Sequence, residues 1–305
     1  MKNWLHLFPK FVSLAAFCFF PANGFAAASA PRYMPPPGLT IPSAARVELE
    51  EGVAKLRREI ETLSEALKNK PRLLALVPDV QIHHKAVHWP LAYDEFLRSN
   101  EVAIARTLLK QGLERAAQLR AGTAPWAGAT GLVVRAYVSR IDGSIQPYGL
   151  VVPSSFRPDA AQPFRLDIWL HGRDNNLTEL KFIDGRQKSP GEFAPPHTFV
   201  LHLYGRYCNA NKFAGEVDLF EALAQVRRQY PIDENRIAVR GFSMGGAACW
   251  HLAAHHAGLW AAAAPGAGFA ETPVYLRIVP TENSPPWYEQ KLWHLYNATD
   301  YAANL

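Results

Sequence analysis

Between Leu49 and Leu67 the apolar residues fall alternately four and three positions apart: Leu49, Val53, Leu56, Ile60, Leu63 and Leu67. Glu50, Glu51, Arg57, Arg58, Glu59 and Glu61 occupy positions between them. That spacing keeps one stripe on a single side of a helix, and Pro71 marks its end. The same stripe is a coiled-coil seam of about three heptads, so it has two possible uses: packing on the chain's own domain, or self-association through residues 49–67. After a mixed region, Val102, Ala105, Leu108, Leu109, Leu113, Ala116 and Leu119 give one face to a helix over 101–119. Ala121-Gly122-Thr123-Ala124-Pro125 breaks that pattern. Residues 44–122 are expected to form a helical N-terminal region.

From Thr130 the period changes. Residues 132–139 and 148–153 read as the arms of a hairpin around Asp142-Gly143. Residues 164–170, 198–204 and 236–240 read as further strands, and 259–264 as one more buried strand. Two helices interleave. One covers 216–230, with Leu219, Phe220, Leu223 and Val226 on its apolar face. Its first turn is acidic (Glu216, Asp218), its last turn basic (Arg227, Arg228), and Pro231 stops it. The other is the Ala-rich stretch 247–254, with Gly258 beyond it. A hairpin followed by strands alternating with helices predicts an α/β fold over 130–305, a mostly parallel sheet with helices on both faces.

Composition adds three limits. The chain has 305 residues and a formal charge of +5, with its basic residues dispersed. No basic stripe with interleaved aromatics exists, which argues against nucleic acid as a partner. Lys2 and Lys10, an apolar core over 11–20, Pro21 and then Ala26-Ala27-Ala28 give residues 1–30 the order of a cleaved export signal. A secreted or periplasmic location follows as an expectation, with no membrane span once the signal is gone and, because Phe17 precedes Cys18, no lipid anchor. Residues 31–43 carry five prolines and read as a linker. Cys208 and Cys249 remain; they are either bridged or, for Cys249, a buried free thiol.

The chemistry concentrates at Gly241-Phe242-Ser243-Met244-Gly245-Gly246. It fits G-x-S-x-G between a predicted strand and a predicted helix, the context of a nucleophile elbow. The turn at Ser243 is so tight that residues two positions away on either side must be small, and Gly241 and Gly245 are. An oxyanion hole would take one amide from Met244, after the nucleophile. Its second amide would come from Gly172 or Arg173, where 167–170 ends in His171-Gly172. Tyr204, Arg206 and Tyr207, on a loop after a strand, are candidates for substrate binding. His84 and His88, and His251 and His255, have helical spacing. Neither pair matches a known zinc pattern, so neither a metal nor a cofactor is expected.

The unit from the strand through GFSMGG to the helix resembles the α/β-hydrolase fold. Tyr230-Pro231-Ile232-Asp233-Glu234-Asn235-Arg236-Ile237 before it, and Gly245-Gly246 after the serine, are similar to the prolyl oligopeptidase family and to related secreted esterases. The resemblance spans about 130–270; residues 44–122 do not resemble the β-propeller of the best-known oligopeptidases. It implies a serine-type peptidase or, alternatively, a carboxylic ester hydrolase, acting through an acyl-enzyme on Ser243. A non-catalytic binding protein on the same fold is the alternative from another class. The superfamily order is Ser, then acid, then His. Residues 265–305 offer no strand with an acid or His loop, so the hydrolase domain is expected to be truncated at its C-terminus and this chain to be inactive or nearly so.

Overall fold

The computed structural model describes residues 36–159, 162–278 and 284–305. Contacts divide the chain into two units, Met1–Met34 and Pro35–Leu305. The expected export signal, 1–30, and the start of the proline-rich stretch lie outside the described residues. The end of that stretch is docked: Leu39 N–H donates to Phe96 O at 2.6 Å, and Ile41 is buried.

Helices α1 (Ser43–Ala66), α2 (Pro71–Leu74), α3 (Pro78–Ala92) and α4 (Glu101–Arg120) come first. Leu49, Val53, Leu56, Ile60 and Leu63 are the buried face of α1, which packs on α3 and α4. The seam is therefore filled by the chain's own helices, the first of its two possible uses. The stretch that looked mixed is α3. Pro78 opens it, where a missing N–H costs nothing, and Pro90 sits inside it. His83 is fully buried against Gly112 of α4, and His84 stacks on His88 at 5.4 Å.

Six strands form one mixed sheet: β1 (Gly131–Val138), β2 (Ile145–Val152), β3 (Phe164–Leu170), β4 (Thr198–Leu203), β5 (Ile232–Phe242) and β6 (Ala262–Gly266), in the order β1-β2-β4-β3-β5-β6. β1 and β2 are the antiparallel hairpin, β2 meets β4 antiparallel, and β4, β3, β5 and β6 run parallel. The helices that follow are α5 (Glu179–Lys188), α6 (Ala214–Gln229), α7 (Met244–His255), α8 (Thr272–Leu276) and α9 (Trp287–Trp293). Helices cover both faces, and α1, α3 and α4 share one hydrophobic core with the strands. β4 is buried at every position, as a central strand covered on both sides must be. β6 is not the buried strand expected. Among the described residues it pairs with β5 alone, and Ala262, Ala263 and Ala264 are exposed. An alanine run is apolar without being bulky, so it does not distinguish a core strand from an edge.

Candidate active site

β3, β4 and β5 are parallel, so their C-terminal ends open on one rim, the edge where open α/β sheets place their ligands. Three loops leave that rim. His171-Gly172 follows β3, Tyr204 to Cys208 follows β4, and Ser243 follows β5.

Ser243 has φ 56° and ψ −118°, a backbone region that costs a non-glycine residue about 1–3 kcal/mol. Packing holds it there. A Cβ on Gly245 would stand 1.9 Å from Leu170 O, and one on Gly241 would stand 2.2 Å from Gly245 O. The first turn of α7 thus lies directly on the end of β3, with no room for a side chain. Ser243 N–H donates to Gly266 O at 2.9 Å, tying the elbow to the end of β6. The result is an exposed hydroxyl at the N-terminus of α7. Met244 is the first residue of that helix, and its N–H has no carbonyl one turn back to bond. A Cβ on Gly172 would lie 3.8 Å from Ser243 Cβ, so the loop after β3 stands beside the nucleophile. The structure thereby brings Ser243, Met244 and Gly172 together, and Arg173 follows with its guanidinium bonded to Asn175 at 2.8 Å.

The loop after β4 divides into two kinds of residue. Arg206 is committed: it donates to Asp218 at 2.9 Å, Asp142 at 2.7 Å and Ser139 at 2.9 Å. Burial opposes its charge, but the bonds to Asp142 and Asp218 outweigh that and raise its pKa. Its guanidinium anchors the β1–β2 hairpin to α6 and is not turned to a ligand, which corrects the expectation of a substrate contact. Tyr204 and Tyr207 instead line a cavity of about 590 Å³ with Lys85, Trp89, Tyr93 and Glu179. Burial raises the Tyr204 phenol well above its ordinary pKa, so it stays protonated. Tyr207 donates to Asn175 O at 3.1 Å and Cys208 Sγ to Asp174 O at 3.3 Å, which fastens this loop to the one after β3. Cys208 and Cys249 are both free thiols; the bridge between them is not formed.

A second cavity, about 720 Å³, adjoins the nucleophile itself. Gly172 and Phe242, which neighbour Ser243, line it together with His171, Trp169, Asp174, Lys181 and Arg186. Sequence reasoning missed Lys181 and Arg186 because α5, which supplies them, was not expected. Thr178 caps α5 by accepting from Lys181 N–H at 3.2 Å, with Glu179 in the first turn and Arg186 and Lys188 in the last, a set of end signals that was available.

Among the described residues no histidine hydrogen-bonds to Ser243. His171 turns its ring nitrogens to Gly172 O (2.8 Å) and Tyr204 O (3.2 Å). His251 faces Ala210 O, His256 faces Glu216, and His294 is 2.6 Å from Asp300. No described helix is long and apolar enough to cross a membrane.

The strand order, the antiparallel hairpin at its start and the strained serine after β5 define an α/β-hydrolase fold with the elbow of serine hydrolases. A family model described as the prolyl oligopeptidase family matches residues 208–304, and the chain is similar to that family over this stretch. Among solved structures, a fluorophosphonate-binding serine hydrolase of Staphylococcus aureus is 17% identical with a TM-score of 0.39, over 58% of this chain and 67% of that one. A thermostable esterase is 22% identical with a TM-score of 0.34, over 55% and 52%. A putative dipeptidyl aminopeptidase IV of Bacteroides ovatus is 13% identical with a TM-score of 0.42, over 57% and 26%. The chain thus spans about half of the esterase and about a quarter of the aminopeptidase. A search of curated proteins finds no match.

Proposed function

We propose that this chain is the hydrolase domain of an exported serine-type peptidase that forms an acyl-enzyme on Ser243. The observation that carries the reading is the exposed, strained Ser243 between β5 and α7 with Gly172 at its side. The match to the prolyl oligopeptidase family over 208–304 supports a peptide substrate, and the order of residues 1–30 supports export.

In the proposed reaction Ser243 Oγ attacks the scissile carbonyl carbon and loses its proton to a general base, by the superfamily order a histidine, a place that none of the described histidines takes beside Ser243. The carbonyl oxygen becomes an oxyanion facing the amides of Met244 and of Gly172 or Arg173. These donors are held by the helix start and the strand end, so they need no reorganisation as charge develops. The C–N bond breaks as the base returns the proton to the leaving amine. Water then attacks the ester on Ser243 and releases the acid by the same route. The chamber lined by Phe242, Trp169 and His171 is the proposed seat of the substrate beside the nucleophile.

The test uses the native protein with a fluorophosphonate probe. Ser243 should be labelled, and Ser243→Ala should abolish labelling while the fold survives. Turnover is then compared on proline-containing peptides and on short activated acyl esters. Esters cleaved with peptides untouched would reassign the substrate class to carboxylic esters. An intact wild type that fails to label would sink the enzyme and leave a binding scaffold.

A further inference from the structure

On α7, two turns below the elbow, His251 and His255 stand one turn apart on the same side. Glu216, in the first turn of α6, comes up against them. One ligand atom from each of the three lies within 4.8 Å of the others. Among the described residues no other group of three or more histidines, cysteines or carboxylates meets that condition.

The hydrogen bonds show which atoms are available. His251 is 1% exposed, and its Nε2 lies 2.9 Å from Ala210 O. A carbonyl only accepts, so Nε2 carries the proton and Nδ1 keeps a lone pair. That Nδ1 is buried and has no partner. His255 Nε2 is likewise buried without a partner. Leaving such atoms unbonded costs about 1–3 kcal/mol each. The Glu216 carboxylate is steadied from outside, by His256 Nε2 at 2.7 Å and by the Tyr296 hydroxyl at 3.1 Å. Outer bonds of this kind, on the far nitrogen of a histidine and on the carboxylate, are what orient ligands in metal centres. Tyr301 packs edge-on to His255 at 4.2 Å.

We propose that His251, His255 and Glu216 form a binding site for a divalent cation of the zinc type, which clips α6 to α7. Two imidazoles and one carboxylate are a nitrogen-rich set suited to Zn²⁺, whereas Ca²⁺ and Mg²⁺ take oxygen ligands. Zinc bonds of about 2.0–2.1 Å place tetrahedral ligand atoms roughly 3.3 Å apart. The side chains of His255 and Glu216 are 14% and 18% exposed, so both can turn inward by the remaining distance and admit the ion from solvent. Water completes the fourth position. The site is separate from the nucleophile, since His251 follows Ser243 by a helical rise of roughly 12 Å.

The experiment titrates Zn²⁺ into the metal-stripped full chain by calorimetry, and Co²⁺ by its visible absorption. One Zn²⁺ per chain, a Co²⁺ band of four-coordinate intensity and a rise in the thermal midpoint with Zn²⁺ are expected. His255→Ala and Glu216→Gln should each weaken binding by at least tenfold, and both change partly exposed side chains that the fold tolerates. His256→Ala, which removes the brace on Glu216, should weaken it by about tenfold. His84→Ala, on the separate stacked pair of α3, should bind as the wild type does. Absence of stoichiometric binding would overturn the proposal. So would wild-type affinity in both His255→Ala and Glu216→Gln, or loss of binding in His84→Ala alone.

Discussion

Two polar centres of this molecule are built in opposite ways. Around Asp79, at the start of α3, every bond is made. Its carboxylate accepts from Ala136 N–H (2.7 Å), Arg135 Nε (2.8 Å) and Trp126 Nε1 (2.9 Å), and Arg135 passes on to the Tyr230 hydroxyl at 3.1 Å. Asp79 and Arg135 are both almost wholly buried. Arg115 donates to the Asp79 carbonyl and to Val134 O and lies 4.9 Å over the Trp126 ring. At Ser243 the reverse holds: an exposed hydroxyl on a strained backbone. The first centre joins the helical layer to β1 and has no capacity left for a ligand. The second holds unused bonding capacity in place with backbone packing. The charged cluster at Asp79 is therefore a structural device, and the proposed reactive group is the small uncharged one at the rim.

The sharpest way to break that contrast is to exchange the effects of the two centres. In the enzyme with its general base in place, Ser243→Ala should lower turnover on the order of 10⁴-fold or more, as loss of a triad nucleophile does, with the denaturation midpoint essentially kept. Comparable turnover by the variant would remove Ser243 from the chemistry. Asp79→Ala should do the opposite. It leaves the Arg135 guanidinium buried without its counter-charge, which costs about 3–5 kcal/mol of stability by urea denaturation. The fraction that remains folded should turn over normally. A loss below about 1 kcal/mol would show that water replaces the carboxylate and that the centre is not closed.

The elbow itself offers a smaller effect of opposite sign. Glycine adopts φ near 56° without the Cβ penalty, so Ser243→Gly releases strain and adds about 1 kcal/mol of stability while abolishing turnover. A destabilised Ser243→Gly would mean that the serine side chain contributes more to the fold than its backbone conformation costs.

Legibility in the sequence follows the same division. β3 was readable residue for residue because Phe164, Leu166, Ile168 and Leu170 fall at every second position, and α6 because its ends are charged in the order the helix dipole favours. The elbow was readable because its glycines are required by backbone contacts that any such turn makes. What depended on distant partners was not readable. Arg206 on the rim looked like a ligand contact, but Asp142 and Asp218 reach it from the hairpin and from α6. The bonds of Asp79 come from β1 and from Trp126, which its own stretch of sequence does not announce. The carboxylate that His251 and His255 lacked in sequence arrives from α6. β6 was misjudged as buried because burial of an alanine run is decided by its neighbours and not by its own composition.

The most gradual expected effect, spread over the pH scale, concerns histidines that the fold keeps neutral, a third kind of polar group between the two extremes. His202 is 4% exposed on β4, with Nε2 donating to Pro190 O at 3.0 Å and Nδ1 accepting from Arg186 at 3.1 Å. Burial, with the Arg186 charge behind it, pushes its pKa down from 6.5 to about 3. Above pH 6.5 neither the folded nor the unfolded chain protonates this ring, and it has no effect on the pH dependence. Below that the unfolded chain binds a proton that the folded chain refuses, so stability falls as pH falls, until the folded ring also protonates near pH 3. The slope is at most about 1.4 kcal/mol per pH unit for one such group. Buried Glu101, Glu179 and Asp218, whose pKa values burial raises, act in the opposite sense nearer the carboxylate range, so the histidine effect is cleanest just below pH 6.5. His202→Gln keeps one donor for Pro190 and one acceptor for Arg186 but cannot titrate. Urea denaturation of the two proteins between pH 7 and pH 5, with metal removed so that His251 contributes equally to both, should show a steeper decline for the wild type. Parallel curves would mean that His202 is protonated in the folded state, and that this strand tolerates charge as the Asp79 centre does.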